Sequence, residues 1–311
     1  MANQKTVLIS GGTGMIGSAL VPVLLQKGYQ LILLTRRRIA TDMPYAAHPN
    51  VHYAYWDPAT FEIDSDVVTK ADHVVHLAGA NVAEKRWTTE RKNEINNSRV
   101  QSGRLLVDAI KKSIHQPLSF VSASAIGWYG PDTKEGSVPF TENDPADSSF
   151  LGDTCRAWED STAALVPMNI RRVVLRIGIV LSRKGGALAE FEKPLRVGVA
   201  PLLGSGEQII SWIQLQDLVS MILFSLEQTS MQGIYNAVAP APVSQRSLMM
   251  TLTRQRKRFF ITVKIPAFFL QVMLGEMSIE VLKSATVSSN KIQQAGFCFH
   301  YPSIEKALPV C

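Results

Sequence analysis

Gly11, Gly14 and Gly17 stand three apart, directly after an apolar run, Val7-Leu8-Ile9, and directly before apolar residues at helical spacing, Leu20, Val23 and Leu24. The chemistry this pattern suits is dinucleotide binding. Gly11 can take backbone angles closed to other residues, Gly14 lets main chain approach a pyrophosphate, and Gly17 lets the next helix lie close to the strand. The turn Gly11, Gly12, Thr13, Gly14, Met15, Ile16 and Gly17 then offers N–H groups and the positive end of a helix dipole to phosphates. A glycine turn alone is a common loop, and the strand before it and helix after it make this one specific.

The second strand, Gln30 to Thr35, sets the form of the cofactor, because it runs into Arg36-Arg37-Arg38 rather than into an acid. A carboxylate here would hold ribose hydroxyls, whereas a guanidinium pairs with a 2′-phosphate. Thr35 and Arg36 therefore point to NADP(H), with a solvated arginine run as the alternative. At the end of a third strand, Asp57 can accept a hydrogen bond from adenine or cap a turn. A fourth strand, His73 to Gly79, closes on small residues that let a ring or ribose pass near the backbone. On the long helix expected over Thr89 to Lys112, Arg99 suits either a phosphate or a surface salt bridge. A fifth strand ends at Ser122, and Ser124 follows, with hydroxyls at the carboxyl end of a central strand facing the ligand crevice.

These residues need a doubly wound parallel α/β sheet to hold them. Residues 1–180 fill a Rossmann domain, 212–240 return to the sheet, and 181–311 form a smaller substrate lobe broken by Gly185-Gly186, Gly198, Gly204 and Gly206. One helix is expected from Leu151 to Leu165. Three scattered cysteines give no disulfide framework or zinc pattern, and His73 and His76 point to opposite faces of a strand, so no metal site is read. The longest apolar run, Ile265 to Leu274, is half of what a membrane span needs, and the amino terminus lacks a secretory pattern, which together point to the cytoplasm and to no membrane partner. A net charge of +6 is mild for 311 residues. The basic cluster Arg254, Arg256, Lys257, Arg258 reads as a solvated helix end, so no nucleic-acid partner is expected.

Several runs in this sequence resemble the short-chain dehydrogenase/reductase superfamily, in its extended or atypical branch. They are Gly11 to Gly17, Leu77-Ala-Gly79, Arg86-Trp-Thr88, Ser98-Arg99, Ser122 to Gly130, Cys155-Arg-Ala-Trp-Glu159 and Leu203 to Gln208. Together they are similar to the atypical epimerase family proteins, and the tail over about 260–311 resembles that family's extra carboxyl-terminal domain. The resemblance implies NADP at Thr35 and Arg36, along Leu77 and Ala78, and at Glu94, Arg99 and Val180. A histidine common in that family is replaced by Gln214. The superfamily's tyrosine and lysine fall on Leu151 and Cys155, neither of which can do their work. Ser124 keeps its place, while Tyr129 is a candidate substitute acid and Cys155 a weaker thiol candidate.

Two functions remain open from the sequence. One is an NADP(H)-dependent oxidoreductase or epimerase-like enzyme acting on a small polar substrate, with a homodimer possible. The other is a non-enzymatic NADP(H)-binding sensor or regulatory protein.

Overall fold

The computed structural model describes residues 4–38, 42–133, 138–256 and 259–311, so Lys257 and Arg258 of the basic cluster lie outside the described residues. The first part of the chain alternates strand and helix: β1 (Thr6–Ser10), α1 (Met15–Gln26), β2 (Gln30–Thr35), β3 (Val51–Asp57), β4 (Glu62–Ile63), α2 (Ser65–Thr69), β5 (His73–His76), α3 (Thr89–Lys112), β6 (Ser119–Ala125), α4 (Phe150–Asp160) and β7 (Arg171–Ile177). The second part comprises β8 (Ile179–Leu181), α5 (Gly186–Leu195), β9 (Val199–Leu203), β10 (Ile209–Ile210), β11 (Trp212–Gln214), α6 (Leu215–Glu227), β12 (Gly233–Ala237), β13 (Val243–Ser244), α7 (Gln245–Gln255), β14 (Ile261–Ile265), α8 (Ala267–Leu274), α9 (Met277–Leu282), α10 (Asn290–Gln294) and α11 (Ile304–Ala307).

Eight strands make the main sheet in the order β12-β7-β6-β5-β1-β2-β3-β4, and only the β3/β4 pairing is antiparallel. The alternation of strand side chains builds a core on each face. Val7, Ile9, Leu31, Leu33, Val75 and Val121 join α1 and α6 on one side, whereas Leu8, Ile32, Leu34, Val74 and Phe120 join α2 and α3 on the other. Connections leave β1 toward β2 on one side and come back to β5 on the other. The crevice outside the carboxyl ends of β1 and β5 is therefore the topological switch point, where such sheets bind ligands.

A third core lies in the lobe, where Leu188 and Leu195 of α5, Leu248 and Leu252 of α7, Trp212, and Ile304 and Ala307 of α11 pack together. The segment 283–288 stitches this lobe to the sheet. Asp132 accepts hydrogen bonds from Ser284 Oγ and from Thr286 N and Oγ1, and Ser211 Oγ donates to the Ala285 carbonyl while accepting the Val287 N–H. Fully buried Asp217 accepts the N–H groups of His300 and Tyr301.

Three boundaries differ from the sequence expectation. The fifth strand runs on to Ala125 instead of ending at Ser122, because its pairing with β7 continues through Ser124 and Ala125, so Ser124 lies within β6. The fourth strand stops at His76 instead of Gly79, because Leu77 N and Ala78 N turn back to Ser10. The helix expected to reach Leu165 ends at Asp160, where Arg172 hydrogen-bonds the Glu159 carbonyl and Thr162 Oγ1.

Candidate functional site

The glycine turn is held by close backbone contact. Gly11 sits at φ +74°, and a Cβ there would stand 2.8 Å from the Leu77 carbonyl carbon, so β1 and β5 meet with no room for a side chain. A Cβ on Gly17 would fall 2.2 Å from the Gly11 oxygen. Gly14 donates to the Gly11 oxygen at 3.0 Å and begins α1 without a side-chain cap, and the first turn carries no acid. Uncapped N–H groups at a helix N-terminus form a seat for an anion, so this cradle fits a pyrophosphate. Thr13 and Gly14 are exposed there, while Gly12 is buried against Leu33. Met15 and Ile16 are half-buried, and the Met15 thioether lies beside Gly185 and Gly186, next to the Val180 carbonyl. The structure thus brings Val180 of β8 to the turn.

At the end of β2, Thr35 is buried and its hydroxyl accepts the Arg37 N–H at 3.1 Å. Arg37 pairs with Asp42, and Arg38 pairs with Glu62 while lying over the Tyr55 ring. Arg36 is exposed and, among the described residues, has no ion-pair partner. Asp57 Oδ1 accepts the Ala59 N–H at 2.9 Å, which is the turn arrangement.

A buried relay runs beneath the crevice. The Ala78 N–H points at Ser10 Oγ at 3.3 Å, Ser10 Oγ meets His76 Nδ1 at 2.6 Å, and His76 Nε2 meets Ser102 Oγ at 3.2 Å. Ser102 gives its hydrogen to the Ser98 carbonyl, so it must accept from Nε2, and Nδ1 must then accept from Ser10. His76 is therefore the neutral Nε2–H tautomer. Burial, with the Arg99 charge adding to it, pushes this imidazole down to about 4. His73, on the opposite face, meets Ser119 Oγ at 2.8 Å and is likewise pushed down to about 4 by burial.

Arg99 is 8% exposed, which removes the surface salt bridge as its role. Its guanidinium lies 4.9 Å from the centre of the Trp158 ring, donates to the Ile95 carbonyl at 2.9 Å, and backs onto Gly79. Among the described residues no carboxylate pairs with it, and burial pushes it down to about 10. Glu94 does not join Arg99. It is exposed and bound to Arg91, which also binds Glu84 and the Asn81 carbonyl, so the pair fastens the 77–84 loop to α3.

Ser122 is buried in register with His76 on β5 and Val174 on β7. Ser124 donates to Glu159 Oε1 at 2.7 Å, and Glu159 takes both arms of Arg176, at 2.9 and 3.0 Å. Arg176 also donates to the Tyr129 oxygen at 3.0 Å and stacks on Trp128, and Tyr129 donates to Asn236 Oδ1 at 2.7 Å. Tyr129 has no exposed surface; it stacks on Phe140 and packs against Val238 and Val287, and burial pushes its phenol up to about 12. Ser124 and Tyr129, the two catalytic expectations, thus share one buried network. The Ser124 and Tyr129 protons are committed inside the protein, and neither hydroxyl faces open space. Leu151 packs beside Gly127, and Cys155 is buried with its thiol raised to about 12 by burial. Gln214 is buried and caps α6 through the Gln216 N–H.

Sequence reasoning missed Glu159, Arg176 and Asn236 as a unit. The signal was Arg176 itself, a charge inside the apolar strand Val173-Val-Leu-Arg-Ile177, which demands a buried partner. Among the described residues no cluster of metal-ligating side chains occurs, and no helix is long and apolar enough to cross a membrane.

Comparison with known proteins places this geometry. Residues 7–237 match the NAD dependent epimerase/dehydratase family, and residues 265–309 match a domain of unknown function, DUF1731. An epimerase family protein of Staphylococcus saprophyticus is 35% identical over 98% of both chains. The crystal structure of human epimerase family protein SDR39U1 (isoform 2) with NADPH superposes with a TM-score of 0.82 at 26% identity, covering 97% of each chain. A nucleoside-diphosphate sugar epimerase from Corynebacterium glutamicum gives a TM-score of 0.76 at 28% identity, over 98% of this chain and 57% of that one. The chain therefore belongs to the NAD dependent epimerase/dehydratase family, as an atypical short-chain dehydrogenase/reductase with a DUF1731 domain at its carboxyl end.

Proposed function

We propose that this chain binds NADP(H) and uses it as an oxidoreductase or epimerase-like enzyme on a small polar substrate. The observation that carries this reading is the pairing of an uncapped, acid-free helix N-terminus at Gly14 with an Arg36 side chain that has no carboxylate partner among the described residues. In this reading the Gly11 to Gly17 turn receives the pyrophosphate, while Thr35 and Arg36 hold the 2′-phosphate. Leu77, Ala78 and Gly79 form the adenosine-side wall, and Met15 with Val180 forms the other. Arg99, a buried cation with no carboxylate partner among the described residues, turns its remaining donors to the anionic or hydroxyl groups of the ligand. When bound, the nicotinamide supplies or accepts a hydride.

Ser124 and Tyr129 serve this reading as scaffold. Ser124, Glu159, Arg176, Tyr129 and Asn236 tie β6, α4, β7 and β12 together behind the crevice, and their protons stay there. That same commitment favours the second reading, a sensor that binds NADP(H) without turnover.

Two measurements separate the readings. NADPH is expected to raise the melting temperature more than NADH does. Deuterium at C4 of NADPH is expected to transfer stereospecifically to a member of a carbonyl and sugar-nucleotide panel. Stabilisation without any transfer supports the sensor, and no stabilisation by NADPH overturns both.

A further inference from the structure

The chain carries no Asp or Glu between Glu227 and Glu276, yet this stretch holds Arg246, Arg254, Arg256, Lys257, Arg258 and Lys264. Those six cations equal the whole net charge of +6, so the rest of the molecule is balanced. The same stretch concentrates bare apolar surface. Phe259 is 87% exposed, Phe268 67%, Phe269 58%, Val272 57% and Met273 70%, and Ile261 and Val263 stand exposed on β14. Within α8 only Leu270 is buried. The helix is tethered at its carboxyl end, where Gly275 packs against Arg86 and Glu276 pairs with Lys92. On the other side β14 pairs, among the described residues, only with β9.

We propose that α8, with Phe259 and the edge of β14, docks on the surface of an anionic lipid bilayer and holds the lobe against it. Eight residues are too few to span a bilayer, but an apolar helix with bulky exposed side chains can lie in the interface, with basic residues of the same lobe adding attraction to anionic headgroups. Arg254 and Lys264 are exposed, whereas Arg246 pairs with Glu207 and Arg256 with Glu192. The charge decides between a bilayer and a second copy of the chain. A self-complementary contact here would bring the exposed cations Arg254 and Lys264, which pair with no carboxylate among the described residues, toward those of a second copy, and like charges across an interface oppose association. Anionic headgroups attract the same cations, each changing partitioning by about fivefold. This departs from the expectation of no membrane partner, which rested on the lack of a spanning segment.

Flotation of the full chain with phosphatidylcholine vesicles, with and without phosphatidylglycerol, tests the proposal. The protein is expected to float with the anionic vesicles, to float poorly with neutral ones, and to be released by added salt. Phe268→Ser combined with Phe269→Ser is expected to lower partitioning at least about tenfold. Arg254→Gln is expected to lower it by about fivefold. Melting temperature and NADPH affinity of each variant confirm that the fold stands, and Val272→Ser with Met273→Gln replaces the Phe pair should it fail to fold. Absence of flotation with anionic vesicles overturns the proposal. So does unchanged flotation of the folded Phe variant, or a solution dimer that the Phe variant dissociates and that does not float.

Discussion

His76 offers a prediction whose size follows from the structure. Its imidazole is fully buried, accepts from Ser10 and donates to Ser102, and sits near the Arg99 charge. An ordinary histidine titrates near 6.5, whereas burial holds this one down to about 4 in the folded protein. The unfolded chain therefore binds a proton between those values that the folded chain does not, and stability falls as pH drops through that window. Linkage for this shift gives about 2 kcal/mol lost between pH 8 and pH 5 from His76 alone. His73 adds a loss of the same sign. His76→Asn isolates the His76 share, because an asparagine oxygen reaches the place of Nδ1, keeps the Ser10 arm, and does not titrate. Urea unfolding of both proteins at pH 8 and pH 5 reads the difference. The stability gap between them is expected to narrow by about 2 kcal/mol at the lower pH. A gap that stays constant would refute the buried neutral imidazole, and with it the hydrogen-bond direction assigned to the relay.

Other outcomes follow from the same geometry. Gly17→Ala places a methyl against the Gly11 oxygen, so it should cost about 1–3 kcal/mol in thermal or urea unfolding and weaken NADPH binding measured by fluorescence titration. Tyr129→Phe removes bonds to Asn236 and Arg176, and denaturation should show a loss of about 1–3 kcal/mol, while NADPH affinity stays near wild type. Glu159→Gln leaves the Arg176 guanidinium buried without its charge partner and should cost about 3–5 kcal/mol, read by urea unfolding.

What the sequence disclosed was whatever depended on local pattern. The strand, glycine turn and helix at residues 6–26 were legible because backbone sterics leave such a run few alternatives. The end of β2 at Thr35 was legible because the apolar run gives way there to three arginines. Arg99 was left between two roles, since helical spacing places a residue on a face but does not say what that face meets; Trp158 and Gly79 decide it. The surroundings of Ser124 and Tyr129 were hidden for a related reason. Their partners, Glu159, Arg176 and Asn236, lie far along the chain and meet only when β6, β7, α4 and β12 assemble. The stop of the fourth strand at His76 depends on Ser10, across the β1/β5 pairing, and was equally hidden.

In the proposed site the Gly11 to Gly17 turn holds a nicotinamide dinucleotide whose 2′-phosphate is chosen by Arg36. Isothermal calorimetry of the wild-type chain and of Arg36→Gln with NADPH and NADH tests it most directly. The wild type is expected to bind NADPH at least about tenfold more tightly than NADH, and Arg36→Gln to lose most of that preference while still binding NADH. No heat with either dinucleotide, or a wild-type preference for NADH, would contradict the claim.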